Sequence, residues 1–211
     1  ETSYRVVVVA RNPDLDSLEV ASAPLSVRTK PREAPVSVTA TANGPTSVTV
    51  SWSHDGEGVQ EFRIRKETNS GDWTLAKDNI SSTASSFTLT NTHTKLVPGR
   101  DYNFTVVAVY AAEPKESTDE ASVTMPQATG PRNLAAPENL LKREQLTVTW
   151  DAPDPAWDVN GYRADLYRTN DTSPWKSVNT GTTRSVNFTG LEIETSYRVV
   201  VVARNPDLDS L

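Results

Sequence analysis

The chain has 211 residues, no cysteine, and a net charge of −6 with a pI near 5. That length admits one large domain or two of ordinary size. The acidic balance excludes the dense basic face that nucleic acid requires. The lack of cysteine excludes disulfides, thiolate nucleophiles and Cys-ligated metals. No run of 18 apolar residues is present, so membrane insertion within this segment is not expected.

The first element is the run Val6-Val7-Val8-Val9-Ala10 inside ETSYRVVVVARNPDLDSL, residues 1–18. It has strand length, and a second strand follows between Leu18 and Thr29. The pattern opens inside a strand, which predicts that the natural protein extends upstream. Residues 1–29 read as the last two strands of a preceding domain.

Residues 30–126 read as a complete domain built on period-2 alternation, the mark of half-buried strands. Val48, Val50 and Trp52 alternate with Thr49 and Ser51. Phe62 and Ile64 alternate with Arg63 and Arg65, and Trp73 with Leu75 makes a short strand. Phe87 and Leu89 follow, then Tyr102, Phe104, Val106 and Ala108, then Ala121, Val123 and Met125. Asn43-Gly44-Pro45, Asp55-Gly56, Ser70-Gly71-Asp72 and Pro98-Gly99 supply the turns. Residues 127–211 repeat the plan. Leu146, Val148 and Trp150 come first, then Tyr162, Ala164 and Leu166, then Trp175 and Val178, then Val186 and Phe188, then the Tyr197 strand. This domain is expected to lack its last strand. The fold class is all-β: tandem seven-stranded antiparallel sandwiches with Greek-key connections.

Two repeats are nested in the chain. Residues 194–211 are identical to residues 1–18, an offset of 193. Tyr4, Tyr102 and Tyr197 each open a run with apolar residues two, four and six positions later, spaced 98 and 95 residues apart. The unit of 193 residues is therefore a pair of different domains. The identical ends suggest a window on a longer polymer in register. The competing expectation is strand complementation between molecules.

One further pattern is specific. Trp52, Phe62, Leu96, Pro98, Tyr102 and Ala108 form a Trp strand, an aromatic opening the next strand, and Leu-x-Pro-x-x-x-Tyr-x-apolar-x-apolar-x-Ala. Trp150, Tyr162, Leu191, Tyr197, Ala203 and Asn205 repeat it, with Ile193 where Pro is usual. This pattern resembles the fibronectin type III family over essentially the whole chain. The resemblance implies a sandwich in which the Tyr ring packs in the core while its hydroxyl bonds backbone across the corner. Antibody-type domains are excluded because their inter-sheet cysteine pair is missing.

No catalytic apparatus is legible, so the chain reads as a non-enzyme, with no cofactor. His54 and His93 both read as exposed loop residues, and no phosphate loop or nucleophile elbow occurs. The Asp151–Gly161 loop has oxygen donors without the alternating spacing of a calcium loop. Within it Trp157 lies outside the core pattern. It is a candidate interdomain or ligand contact, with folding onto its own loop prolines as the plainer alternative. Gly99-Arg100-Asp101 has integrin-type residues in the wrong order, and Leu15-Asp16-Ser17 and Leu208-Asp209-Ser210 read as turns. Four sequons mark Asn79, Asn103, Asn170 and Asn187 as possible N-glycosylation sites. Asn79 and Asn170 are expected in loops, and Asn103 and Asn187 on outward strand positions.

These readings point to a structural or adhesive module of a repetitive extracellular or cell-surface protein. Its expected partners are neighbouring identical repeats and protein or glycan ligands. A receptor ectodomain, or a spacer in a secreted carbohydrate-active enzyme, is the alternative.

Overall fold

The computed structural model describes residues 2–11, 19–68, 70–138 and 143–205. Among the described residues, all the regular structure spanning more than a single residue is antiparallel strand.

Two hairpin ladders come first. β1 (Ser3–Val6) pairs with β4 (Leu25–Arg28), and β2 (Val9–Arg11) with β3 (Glu19–Ala21). All their described side chains are exposed.

The middle sandwich holds β5 (Val36–Gly44), β6 (Ser47–Ser53), β7 (Glu61–Glu67), β8 (Trp73–Ser81), β9 (Ser86–Thr90), β10 (Asp101–Val109), β11 (Lys115–Glu116) and β12 (Ala121–Thr124). One sheet has the order β5-β6-β9. The other runs β11-β10-β7-β8, with β12 also on β10. β11 and β12 lie along the same edge of β10 and form one interrupted strand, which gives seven strands in all. The alternation of the sequence becomes the core: Val48, Val50, Trp52, Phe62, Ile64, Leu89, Phe104 and Val106 point between the sheets and are buried.

β8 departs from the expected pattern. Trp73 and Leu75 face outward, and Ala76 and Ile80 carry the core. Register shifts between Phe62 and Arg65 in the β7–β8 ladder change which face each residue occupies.

The second sandwich holds β13 (Arg132–Ala135), β14 (Gln145–Asp151), β15 (Gly161–Arg168), β16 (Lys176–Gly181), β17 (Ser185–Thr189) and β18 (Tyr197–Arg204). Its sheets are β13-β14-β17 and β16-β15-β18. Trp150, Tyr162, Leu166, Val186 and Phe188 are its core. The two cores share a motif: Trp52 meets Phe62 at 5.2 Å between ring centroids, and Trp150 meets Tyr162 at 5.7 Å.

Both sandwiches carry the Tyr corner. The Tyr102 hydroxyl accepts from Val97 N at 2.8 Å, and the Tyr197 hydroxyl from Glu192 N at 3.0 Å. Each bond spans five residues, closing the turn before the strand. Three residues before each Tyr the backbone is left-handed, at Gly99 (φ 74°) and Glu194 (φ 55°). Glycine takes that conformation freely, whereas Glu194 holds it at a cost of about 1 kcal/mol.

One buried charge had no signal in the alternation. Asp165 is almost fully enclosed on β15. Arg163 Nη2 donates to it at 2.9 Å and Ser177 Oγ at 2.7 Å, which satisfies the carboxylate.

Candidate functional site at the junction of the two sandwiches

The loop between β14 and β15 is long and proline-rich, and its backbone reaches groups outside its own sandwich. Trp157 is half-buried, and its indole Nε1 donates to Thr129 O in the connecting segment at 2.9 Å. Asp158 N donates to Thr46 Oγ1 of the middle sandwich at 3.3 Å, where Thr46 is buried. Ala156 O lies so close to Gly44 that a Cβ there would sit 3.2 Å from it. The absence of a side chain at Gly44 thus admits the loop. From behind, Asn205 Nδ2 donates to Asp158 O at 2.6 Å and Asn160 N to Arg204 O at 3.0 Å. Arg132 and Asp154 add an ion pair at 2.9 Å between the first strand of the second sandwich and this loop. Pro98, Ala128, Trp157, Arg163 and Ala203 line a cleft beside it.

The sequons fall in different settings. Asn170 is exposed in the turn after β15. Asn187 is exposed on β17 beside Thr147 and Gln145. Asn79, expected in a loop, stands instead in β8, exposed and with φ 50°, where the register shift projects it. Asn103, expected on an open outward position, is half-buried. Its Nδ2 donates to Glu67 Oε2 at 2.6 Å and its Oδ1 accepts from Ser122 Oγ at 2.7 Å.

His54 is not an exposed loop residue. Its imidazole is 2% exposed, edge-on to Phe62. Its Nδ1 accepts from Gly56 N at 2.7 Å, and Nε2 lies 3.1 Å from both Glu33 O and the Tyr110 hydroxyl. Those bonds tie the entry segment to the sandwich. Burial raises the Tyr110 hydroxyl above its ordinary pKa of 10.0. His93 is exposed in a turn, with Nδ1 accepting from Thr90 N at 3.2 Å. Beside Tyr102, Lys66 Nζ donates to Lys95 O at 2.7 Å, and burial lowers its pKa from the ordinary 10.5. Gly99-Arg100-Asp101 forms the corner turn. The Leu15-Asp16-Ser17 and Leu208-Asp209-Ser210 tripeptides lie outside the described residues. Among the described residues no three His, Asp or Glu side chains gather as a metal cage, including in the Asp151–Gly161 loop.

A second surface was missed in the sequence. Trp73 and Leu75, placed outward by the bulged register, join Arg63, Arg65, Val107 and Glu116 on the outer face of the β7–β8–β10 sheet. The clue was available in Arg63 and Arg65, which alternate with the core and so mark that face.

The fibronectin type III domain matches residues 33–123 and 129–210. The chain belongs to the fibronectin type III family. As a fibronectin type III pair it is similar to receptor-type tyrosine-protein phosphatase F of Danio rerio, 27% identical over 95% of this chain. Tenascin-R of Gallus gallus is 26% identical over 90%, and neogenin of Rattus norvegicus 28% over 87%. The chain spans only 10%, 13% and 14% of those relatives' lengths. Among solved structures, a two-domain fibronectin type III segment from chicken tenascin is 17% identical with a TM-score of 0.42, covering 81% of this chain and 91% of that one. The chicken CNTN1 FN1–FN3 domains are 18% identical with a TM-score of 0.39, covering 96% and 70%. No helix among the described residues is long and apolar enough to cross a membrane.

Proposed function

We propose that this pair is a structural or adhesive segment of a repetitive extracellular or cell-surface protein, in which it sets spacing and makes protein–protein contacts. The observation that carries the reading is the junction. Trp157, Asp158 and Ala156 bond or pack against the connecting segment and the middle sandwich, so the pair is built to hold an orientation. The 193-residue repeat supports it too, since stacked units add reach without new chemistry. Neighbouring identical repeats are the partners this reading assigns, and the segment itself catalyses nothing. Trp157 is the interdomain anchor. Trp157→Ala should leave both sandwiches folded and broaden the range of interdomain angles. Small-angle scattering and the rotational correlation times of the two sandwiches test this. Unchanged scattering and unchanged coupling of the two tumbling rates would remove the anchor and, with it, the spacer reading.

Asn170 and Asn187 are the exposed sequons whose glycans the fold tolerates best, and Asn103 the one it tolerates least, because a sugar there breaks the Glu67 contact. Intact mass before and after glycosidase, on protein secreted from eukaryotic cells, decides this; no loss of mass removes the assignment.

A receptor ectodomain is the second reading, favoured by the relative whose name is receptor-type tyrosine-protein phosphatase F. A membrane span and an intracellular enzyme in the full-length sequence would select it.

A further inference from the structure

A strand at the edge of a sheet leaves a row of backbone N–H and C=O groups unpaired, and proteins blunt such edges with bulges, charges or short strands. The middle sandwich blunts most of its edges. β5 is bulged between Val36 and Thr39 and again between Ala42 and Gly44. β9 has only five residues, and the strand beside β10 is interrupted between β11 and β12. β8 is different. It has nine residues, it ends the order β11-β10-β7-β8, and among the described residues no strand pairs with its outer edge. Its second half is blunted by Lys77, Asp78 and the left-handed backbone at Asn79 (φ 50°). Its first half, Trp73 to Ala76, holds no charge, no proline and no left-handed residue.

The ladder fixes which groups face the open edge. Thr68 N donates to Asp72 O at 2.7 Å, and Lys66 lies opposite Thr74. Both pairs are therefore of the hydrogen-bonded kind, and Thr74 turns its backbone groups toward β7. Trp73 and Leu75 turn theirs to the open side. The Trp73 carbonyl accepts from Arg65 Nη2 at 2.9 Å and keeps a second lone pair. Both side chains lie on the outer face, where Leu75 is 55% exposed. The equivalent edge of the second sandwich lacks these features. Lys176 lies opposite Leu166 and Ser177 opposite Asp165, as Thr74 lies opposite Lys66 and Leu75 opposite Arg65. β16 thus has lysine and serine at those two positions, and Trp175 is stacked on Tyr197 instead.

We infer that the Trp73–Ala76 edge of β8 pairs antiparallel with the same edge of a second copy of this chain, across a two-fold axis. Opposite residues of an antiparallel pair share a face, so the axis passes through a residue and not between two. Centred on Leu75, the pairing sets Asp72 against the partner's Asp78, and like charges in that position repel. Centred on Ala76, it sets Leu75 against the partner's Lys77 and Thr74 against the partner's Asp78. Centred on Thr74, it sets Trp73 against the partner's Leu75 and Leu75 against the partner's Trp73, with Asp72 facing the partner's Ala76. That register makes two apolar pairs on one face and brings no like charges together. It also joins the open backbone groups of Trp73 and Leu75. The contact is isologous, so it closes at two copies, and it runs the two chains in opposite directions. It does not rest on the junction at Trp157, so the spacer reading and this contact can fail separately.

The chain has no cysteine, so one introduced thiol reports the contact. Thr74 meets its own copy as a non-hydrogen-bonded pair, with Cα atoms about 4.5 Å apart, a separation that a disulfide spans. In the full chain, Thr74→Cys should oxidise to a disulfide-linked dimer on a non-reducing gel. The rate should exceed at least ten-fold that of Thr41→Cys, an exposed strand residue of the other sheet. Adding Leu75→Asp, which alters a side chain already mostly in solvent, should return the rate to that of the control. Equal rates for Thr74→Cys and Thr41→Cys, or a Thr74→Cys rate that Leu75→Asp leaves unchanged, overturn the inference. Sedimentation of the parent chain at rising concentration gives a check that needs no cysteine. A dimer fraction lowered by Leu75→Asp supports the pairing, whereas a dimer fraction that this change leaves as it was, or a monomer over the whole soluble range, overturns it.

Discussion

Residues 2–11 and 195–204 have the same sequence and different surroundings. In the first setting Tyr4 is 53% exposed and Val8 68% exposed, on a strand split into two short ladders. In the second, β18 runs unbroken from Tyr197 to Arg204, Val201 is 8% exposed, and Trp175 stacks on Tyr197 at 5.8 Å with the rings 18° from parallel. The local preference of Tyr-Arg-Val-Val-Val-Val-Ala-Arg for extended backbone is expressed in both places. Burial is not a property of that run. It comes from β15 on one side and from the facing sheet with Trp150 and Phe188 above it. Part of what makes this strand stable is therefore supplied by residues outside it, from Phe188 nearby to Trp150 and Gly161 far along the chain.

The strongest way to break this comparison is to put the same charge into both copies. Val201→Asp places a carboxylate in the second core with no partner and should cost about 4 kcal/mol or more, enough to unfold that sandwich. Val8→Asp alters a side chain already in solvent and should stay within about 0.5 kcal/mol. Urea unfolding followed by tryptophan fluorescence separates them, because Trp150 and Trp175 report the second sandwich. Equal losses would mean that Val8 is buried in solution, and the contrast between the two copies would be lost.

The same distinction governs what could be read from the sequence. Alternation found the core strands, because facing positions such as Val48, Val50 and Trp52 repeat locally. The six-residue spacing from Leu96 to Tyr102 found the corner for the same reason. What alternation cannot see is a register shift or a remote partner. Trp73 and Leu75 point outward because the β7–β8 ladder slips. His54 is enclosed because Tyr110 and Glu33 close over it, 56 and 21 residues away. Asp165 is satisfied by Ser177 on the neighbouring strand, which a strand-by-strand reading leaves as a solvent position. Trp157 stood out as a candidate interdomain or ligand contact, but its acceptor, Thr129 O, lies in a segment with no pattern of its own.

The smaller test uses the three tyrosines that open equivalent strands. Tyr102 and Tyr197 each give a hydroxyl acceptor to a backbone N–H five residues back, at Val97 and Glu192. Phenylalanine keeps the ring and removes that acceptor. The Val97 N–H is partly buried and loses its partner outright, so Tyr102→Phe should cost about 1–2 kcal/mol. The Glu192 N–H lies nearer solvent and recovers a bond to water, which limits Tyr197→Phe to about 1 kcal/mol. Tyr4 is 53% exposed, so its hydroxyl can bond water and Tyr4→Phe should be neutral. The expected order of unfolding midpoints is therefore lowest for Tyr102→Phe, then Tyr197→Phe, with Tyr4→Phe at the parent value. A loss at Tyr4 as large as at Tyr197 would show that the Tyr4 hydroxyl has a buried hydrogen-bond partner in the folded protein.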